Sequence, residues 1–291
     1  MPKTVINRVK LFWELSGDTG EPIVLVHGSW MDHHNWDAVV PSLARSFRVL
    51  TYDRRGHSRS ERPATPGGLR ADIADLAALL EELQIGPAHV LGASSGGSIA
   101  LGLAGERPDL FRSLVAHEPP LVGLLSDPFL APMVNDVRVR IEAVVELLAA
   151  GDMEAGARRF VESIAFGPGA WDRMPQQTRE TAILNGPAFL DEMRDPEAFA
   201  IDLDGLRGFF SPVLLTLGTI SAPFFPQIAQ RLSGVLAHAE LNIFPGAGHE
   251  PQQSHPQAYA ASILSFIGRS RRNSHRRGES HGHSVVDAGC S

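Results

Sequence analysis

The chain of 291 residues contains a single cysteine, Cys290, next to the C-terminus. One cysteine excludes an intramolecular disulfide and a metal site built from several thiolates, and it allows a reducing compartment. Residues 1–20 mix charged and apolar side chains, so this stretch shows neither the apolar segment of a signal peptide nor a membrane span. These absences predict a cytoplasmic protein with no membrane partner.

The chain also lacks an excess of positive charge, since its formal net charge is −7 at pH 7. A protein that binds nucleic acid normally presents a basic surface to the phosphates, so no nucleic-acid partner is expected. The hydrophobic content of 43% is enough for a large core at this length. The remaining expectation is a globular protein that acts on a small molecule, with its oligomeric state left open.

Short apolar runs alternate with helical periods in the first part of the chain. The continuous apolar run at 23–26 and the largely apolar runs at 47–52 and 88–93 are typical of strands covered on both faces, as in a parallel sheet. Leucines and an isoleucine recur at helical spacing over 69–83 and predict an amphipathic helix against that sheet. The alternation predicts an α/β fold with a doubly wound, mostly parallel sheet, preceded by a hairpin over 5–13.

The alternation stops after residue 118 and resumes near 206. The intervening stretch shows helical periods, two of them weak and following Pro175 and Pro187, and no run typical of a strand. After residue 270 the chain is rich in arginine and histidine and poor in apolar residues. We therefore expect three parts: a core formed by 1–118 and 206–270, a helical insertion over 119–205, and a disordered tail over 271–291.

A glycine-rich turn, Gly92 to Gly97, lies between the third apolar run and a helical period. A serine at such a strand-turn-helix junction has forced backbone angles and an exposed hydroxyl, and its neighbours two residues away must be small. Ser94 has Gly92 and Gly96 at these positions, whereas Ser95 has an alanine at the first of them. Ser94 is therefore the candidate nucleophile, although a chain with 28 glycines could contain such a turn for other reasons.

Four signatures in this order resemble the α/β-hydrolase family over 22–118 and 212–268. They are His27-Gly28-Ser29-Trp30, the loop 53–60, the serine turn, and Phe244-Pro245-Gly246-Ala247-Gly248-His249. The resemblance implies that the helical insertion covers the carboxyl ends of the strands as a lid.

The resemblance also assigns roles at the site. It implies that His249 takes the proton of Ser94, because a serine hydroxyl is a weak nucleophile at neutral pH. The backbone amides of Ser29 and Ser95 would form the oxyanion hole. Gly28 would keep the first of these loops small, or supply the amide itself if the loop is turned by one residue. His27 is expected to brace its turn.

The acid of the triad departs from the common family pattern. That pattern has an aspartate after the strand near 212–217, where this chain has Gly218-Thr219-Ile220-Ser221, and a serine cannot supply the negative charge. Glu118 directly follows the strand predicted at 110–117. It therefore lies at the carboxyl end of a parallel strand, where functional groups collect. His117-Glu118-x-Pro120 resembles the lactonases that open the macrocyclic ester of zearalenone, which implies Glu118 as the acid. The competing acids are Asp202, Asp204 and Glu250, and Glu118 could instead be a structural carboxylate.

The predicted function is a serine hydrolase that needs no cofactor or metal and cleaves a neutral, apolar carboxylic ester or lactone. Acidic residues outnumber arginines in the insertion, which disfavours anionic substrates. Trp30, beside the predicted oxyanion hole, and Trp171, in the insertion, are the aromatic residues expected to contact substrate, although packing among the insertion's own helices is an alternative for Trp171. A perhydrolase, haloperoxidase-like enzyme or lyase remains open, because fold does not determine the reaction. A small-molecule receptor with lost catalysis is the alternative outside enzymes.

Overall fold

The computed structural model describes residues 2–282, with side chains for 2–272. Within this part, eight strands form one sheet: β1 (Lys3–Ile6), β2 (Val9–Ser16), β3 (Pro22–Val26), β4 (Arg48–Tyr52), β5 (Ala88–Ala93), β6 (Phe111–His117), β7 (Val213–Gly218) and β8 (Ala239–Phe244). Their order is β1-β2-β4-β3-β5-β6-β7-β8. Antiparallel pairing is confined to β1 with β2 and β2 with β4, and the other pairs are parallel. The predicted doubly wound, mostly parallel sheet is confirmed.

Eleven α-helices lie in the described part of the chain. They are α1 (Val40–Leu43), α2 (Gly68–Glu82), α3 (Ser95–Glu106), α4 (Ala131–Ala149), α5 (Met153–Phe160), α6 (Ala170–Arg173), α7 (Gln176–Met193), α8 (Leu203–Arg207), α9 (Phe224–Ser233), α10 (Pro251–Ser254) and α11 (Pro256–Gly282). Within residues 2–282, none of them combines the length and the apolar composition that crossing a bilayer requires.

Apolar side chains cover both faces of the sheet. On one face, α2, α3, α8 and α9 contribute buried residues that include Leu76, Ile99 and Ile228. On the other face, α1 and α11 contribute Leu43 and Ile263. Every residue of β3 is buried. This agrees with the prediction, from its continuous apolar run, of a strand covered on both faces. Because β3, β5 and β6 are parallel neighbours, their carboxyl ends meet at one edge of the sheet.

The insertion, residues 119–205, is helical, and we call it the lid. It contains α4 to α7, and within its described residues no strand occurs. Its own apolar cluster includes Val144, Leu148 and Phe189. The lid therefore has a small core separate from the two faces of the sheet.

Helix α7 runs through Pro187, where the sequence predicted a break between two segments. A proline inside a helix loses one backbone hydrogen bond and costs about 3 kcal/mol relative to alanine. Asn185 and Phe189, which flank it, are both buried in tertiary contacts. These contacts hold the helix together across the proline, and they are not visible in the local sequence.

The last helix extends further than the sequence predicted. We expected helix over 256–267 and disorder from 271, whereas α11 continues to Gly282. No proline occurs between 257 and 282, so nothing in this stretch prevents the helical backbone. The remainder of the predicted tail, 283–291, lies outside the described residues.

Candidate active site

Ser94 occupies the apex of a sharp turn between β5 and α3. Its backbone has φ 55° and ψ −127°, a strained combination for a residue with a side chain. A Cβ added to Gly92 would lie 2.1 Å from the carbonyl oxygen of Gly96, and one added to Gly96 would lie 2.2 Å from that of Val26. Both flanking glycines are therefore sterically required. Ser95 is the first residue of α3, so the turn presents Ser94 and not Ser95 at its apex.

Glu118 and His249 are hydrogen-bonded to each other at the carboxyl edge of the sheet. Glu118 follows β6, is fully buried, and accepts a hydrogen bond from Nδ1 of His249 over 2.7 Å. Its second carboxylate oxygen accepts the backbone N–H of Gly218 over 2.7 Å. Because Nδ1 of His249 carries the proton in this pair, the Nε2 atom of the neutral ring is left as a proton acceptor.

The surroundings set the charge state of this pair. Burial disfavours the imidazolium of His249, but the hydrogen bond and charge of Glu118 outweigh burial and raise the pKa of His249 above its ordinary value. Burial alone would raise the pKa of Glu118, yet the hydrogen bond with His249 keeps this pKa below its ordinary value. Burial lowers the pKa of the adjacent His117 to about 4, so His117 is neutral. The site therefore holds an ionised carboxylate beside a basic histidine.

Ser94 and His249 open onto the same cavity. In the described residues no hydrogen bond joins the two side chains. Catalytic hydrogen bonds are often long in the absence of substrate and tighten when it binds. The ring of Phe225 stacks on that of His249, with 4.9 Å between centroids and 14° between planes. This stacking and the bond to Glu118 hold the imidazole at the cavity wall.

Two backbone amides beside Ser94 are available to bind an oxyanion. Within the described part of the chain, the N–H groups of Ser29 and Ser95 donate no hydrogen bond. A Cβ on Gly28 would lie 3.0 Å from the Cβ of Ser94, so the absence of a side chain at Gly28 lets the first loop approach the serine closely. This arrangement fits two donors directed at one developing charge.

Four side chains form a closed hydrogen-bonded ring next to these amides, which we call the polar ring. Ser29 Oγ lies 2.5 Å from Glu192 Oε2 and 3.0 Å from Ser95 Oγ. Arg54 donates to Ser95 Oγ over 2.9 Å and to Glu192 Oε1 over 2.6 Å. Arg54 is also bonded to both oxygens of Asp72. The ring therefore connects the lid to the sheet at the candidate oxyanion hole.

Sequence reasoning missed Arg54, Asp72 and Glu192. Arg54 lies in the loop after β4, and its place at the carboxyl end of a strand was the available signal. Glu192 lies near the end of α7 in an acidic lid, and nothing local distinguishes it from its neighbours. Asp72 is one of several acidic residues on α2. Acidic residues of an amphipathic helix are normally expected on its solvent face, so Asp72 did not stand out.

His27 braces its turn, as predicted. Its Nε2 atom accepts the backbone N–H of Arg54 over 3.0 Å, so Nδ1 carries the proton and donates to the carbonyl oxygen of Gly28 over 2.8 Å. Burial keeps the pKa of His27 well below its ordinary value. The neutral ring thereby links the loop after β3 to the loop after β4.

Neither predicted aromatic contact to substrate lines the cavity. Trp30 is 3% exposed, and its ring stacks on Phe189 with 4.4 Å between centroids. Trp171 is also 3% exposed and belongs to the lid cluster. Large aromatic rings gain most when they are buried, and the lid offers them apolar partners. The aromatic lining comes instead from Phe160, Phe189, Phe199, Phe224 and Phe225.

The competing acids lie in other interactions. Asp202 caps α8 by accepting the N–H of Asp204, and Asp204 pairs with Arg207. Glu250 accepts a hydrogen bond from Gln252. Among the described side chains, none of these three acids is hydrogen-bonded to His249. Glu118 alone of the four candidates considered has the geometry of a triad acid.

Among the side chains that the structure describes, two groups have ligand atoms close enough to hold a metal ion. In the first, His117, Glu118 and His249, both oxygens of the carboxylate already accept hydrogen bonds. In the second, Asp53 accepts from the ring and backbone of His33, and Asp32 accepts from the backbone of His34. An ion would have to break these bonds. The donor sets therefore favour hydrogen bonding over metal binding.

Comparison with known proteins agrees with this architecture. Residues 23–262 match the Alpha/beta hydrolase family. Zearalenone hydrolase of Bionectria ochroleuca is 27% identical over 268 residues, which cover 89% of this chain and 94% of that protein. The dihydrolipoyllysine-residue acetyltransferase component of the acetoin cleaving system of Pseudomonas putida is 39% identical over 108 residues, which are 37% of this chain and 29% of that protein.

A solved structure shows the same fold. The enol-lactonase from Burkholderia xenovorans LB400 superposes with a TM-score of 0.76 at 21% identity, covering 92% of this chain and 100% of that one. The family match extends over both parts of the sheet and over the lid. The chain belongs to the alpha/beta hydrolase family.

Proposed function

We propose that this protein is a serine hydrolase that cleaves a neutral, apolar carboxylic ester or lactone. The observation that carries the proposal is the 2.7 Å hydrogen bond between Glu118 and His249, whose imidazole opens onto the same cavity as Ser94. Carboxylate, imidazole and strained serine form the set that acyl transfer needs.

Each side chain has a role in the reaction. Ser94 Oγ attacks the substrate carbonyl carbon while Nε2 of His249 accepts the hydroxyl proton. Glu118 stabilises the resulting imidazolium, and the amides of Ser29 and Ser95 bind the oxyanion. Collapse of the intermediate breaks the bond to the alcohol oxygen, which takes the proton from His249. Water then repeats the sequence on the acyl-enzyme, releasing the acid and restoring Ser94.

The cavity supports a neutral, apolar substrate. Side chains such as Phe160, Phe199 and Met193 form most of its wall. Arg54, the cationic residue of that wall, is already paired with Asp72 and Glu192, so it has no unbalanced charge to offer an anionic substrate. The named activity of the zearalenone hydrolase relative supports a lactone within this class.

The test is a panel of p-nitrophenyl esters and aromatic lactones, assayed with the wild type and with Ser94→Ala. We expect hydrolysis by the wild type, loss of activity in the variant, and labelling of one site per chain by an active-site phosphonate. Wild-type turnover by Ser94→Ala would contradict the proposal. Ligand binding without phosphonate labelling would also contradict it, and would instead favour the receptor alternative.

Bromination that depends on peroxide and acetate is the assay for perhydrolysis. If bromination is the only activity that Ser94→Ala removes, the assignment of Ser94 as nucleophile is supported, and the assignment of the reaction as ester hydrolysis is wrong.

A further inference from the structure

The polar ring joins the two segments that carry the proposed oxyanion donors to two further segments of the chain. Ser29 lies in the loop after β3, and Ser95 begins the helix after the nucleophile. Arg54 comes from the loop after β4, and Glu192 comes from α7 of the lid. The two residues whose amides are the proposed oxyanion donors, Ser29 and Ser95, are also the two whose hydroxyls lie in the ring. Each hydroxyl is joined through Cβ to the Cα beside its amide, so hydrogen bonds that fix the hydroxyl also restrain the backbone donor.

The protons of the ring can be assigned from its chemistry. A carboxylate only accepts, so Ser29 donates its single hydroxyl proton to Glu192. The proton between the two serines must then come from Ser95, and Arg54 donates to Ser95 and to Glu192. Every contact has one donor and one acceptor. Glu192 is the only member that accepts from two others without donating, so its removal leaves two donors without an acceptor in the ring.

Glu192 is not needed to neutralise the buried guanidinium. Arg54 is 2% exposed and is bonded to Asp72 through two nitrogens, at 3.2 and 2.8 Å. That pair remains when Glu192 is replaced. A change at Glu192 therefore opens the ring while Arg54 keeps one carboxylate partner.

Other contacts attach the lid to the loops after β3 and β4 and to α2. The amide of Asn185 donates to the carbonyl oxygen of Met31 over 2.9 Å, and Asp191 pairs with Arg62 over 2.7 Å. Asp195 accepts the backbone N–H of Leu69 over 2.7 Å. Attachment of the lid is thus distributed over several residues of α7 and the segment that follows it. Glu192 differs from these in contacting an oxyanion-loop hydroxyl from inside the cavity.

We infer that Glu192 is a positioning residue through which docking of the lid aligns the two oxyanion donors. The ring is complete only when α7 lies against the sheet, so full stabilisation of the transition state requires the closed lid. The inference rests on the proposed function, since it concerns the oxyanion hole of that reaction. It predicts that breaking the ring weakens stabilisation of the transition state and changes substrate binding little.

The test compares Glu192→Ala, Glu192→Gln and Ser29→Ala in steady-state ester hydrolysis. Loss of a whole oxyanion donor costs about 10²- to 10³-fold in kcat. A donor that is displaced costs less, so we expect Glu192→Ala and Ser29→Ala to lose about 10- to 100-fold in kcat, with KM within about twofold. Ser29→Ala keeps the backbone amide and removes only the hydroxyl, so a fall in its kcat reports on the ring. Glu192→Gln keeps one acceptor oxygen, so its kcat should lie between those of Glu192→Ala and the wild type.

Two further measurements separate positioning from a merely structural role. The inhibition constant of phenylboronic acid, whose adduct with serine is tetrahedral, should rise by the same factor as kcat falls. In a double-mutant cycle, Ser29→Ala with Glu192→Ala should be no slower than the slower single variant, because both act through one ring. Asp191→Asn is the matched control, since it weakens a lid contact on the same helix outside the ring, and it should keep wild-type kcat.

The outcomes are distinguishable from failure of the proposed function. Wild-type kcat and boronate inhibition in Glu192→Ala, a loss confined to KM, or additive losses in the cycle would overturn the inference while Ser94→Ala remained inactive. An equal loss of kcat in Asp191→Asn would also overturn it, because lid attachment alone would then explain the effect. Wild-type activity in Ser94→Ala would overturn the proposed function itself. If Glu192→Ala fails to fold, Ser29→Ala and the boronate measurement decide the matter.

Discussion

Oε2 of Glu118 lies 2.7 Å from Nδ1 of His249, although 131 positions separate the two residues in the chain. Glu118 also has a positive φ of 43°, an uncommon conformation for a residue with a side chain. The turn after β6 therefore directs this carboxylate at the histidine that follows β8. It supplies the negative charge that Ser221, at the usual place of the acid, cannot supply.

Replacement of this carboxylate tests its role. Glu118→Gln should lower kcat by about 10⁴-fold, because the neutral amide can no longer hold the imidazole in the tautomer that accepts the serine proton. Steady-state hydrolysis of a p-nitrophenyl ester measures the effect. Asp204→Asn serves as the control and should keep wild-type activity, since Asp204 pairs with Arg207 on α8. If Asp204→Asn or Glu250→Gln is the inactive variant, the acid has been misassigned.

The pH profile of kcat/KM reports the ionisation of His249. The base must be neutral to accept a proton, so activity falls as the pH drops through its pKa, which the hydrogen bond and charge of Glu118 raise above its ordinary value. In Glu118→Gln the opposing charge is absent and burial dominates, so the acid limb should move to lower pH. Residual activity of the variant, followed from pH 5 to 8, gives the comparison. An unchanged midpoint would show that Glu118 does not act on this histidine.

The buried pair of Arg54 and Asp72 should matter for stability. Asp72→Asn removes a charge beside a guanidinium that is 2% exposed, and breaking a buried pair costs about 3–5 kcal/mol. Because Glu192 remains beside Arg54, we expect the lower end, about 3 kcal/mol, in the free energy of unfolding measured with urea. Glu197→Gln, which breaks the exposed pair with Arg70, is the control and should unfold at the wild-type urea concentration. Equal effects of the two variants would refute the prediction.

The nucleophile turn has a steric requirement that two alanine substitutions in α3 can test. Gly96→Ala would place a Cβ 2.2 Å from the carbonyl oxygen of Val26 and should destabilise the fold by about 4 kcal/mol or more. Gly105→Ala meets its nearest atom at 3.4 Å, so it should be neutral or stabilise by up to about 1 kcal/mol through helix propensity. Thermal unfolding of both variants distinguishes these results. A soluble Gly96→Ala protein with wild-type stability would contradict the steric argument.

Several predictions from sequence depended on local patterns and agree with the structure. The sheet was predictable because continuous apolar runs, such as the one that became β3, require cover on both faces. The turn at Ser94 was predictable because steric exclusion acts between residues that are close in the chain. The place of Glu118 was predictable in outline, since the strand order brings the carboxyl ends together.

Other features depended on partners distant in sequence. Pro187 was expected to interrupt a helix, but tertiary contacts beside it outweigh its local cost. Trp30 was expected at the substrate, yet its ring is buried against Phe189 of the lid, because the lid presents an apolar surface there. Sequence periodicity describes which face of an element is apolar and carries no information about which remote element covers that face.

By itself, the sequence determined the class of fold, the strained serine turn and the histidine loop, because each follows from the packing and backbone limits of neighbouring residues. Only the tertiary structure decided that Glu118 and not Asp202, Asp204 or Glu250 reaches His249. It alone also revealed the polar ring that joins Glu192 to Arg54 and both serines. Hydrogen bonds act over about 3 Å, and which residues come that close is determined by the folding of the whole chain.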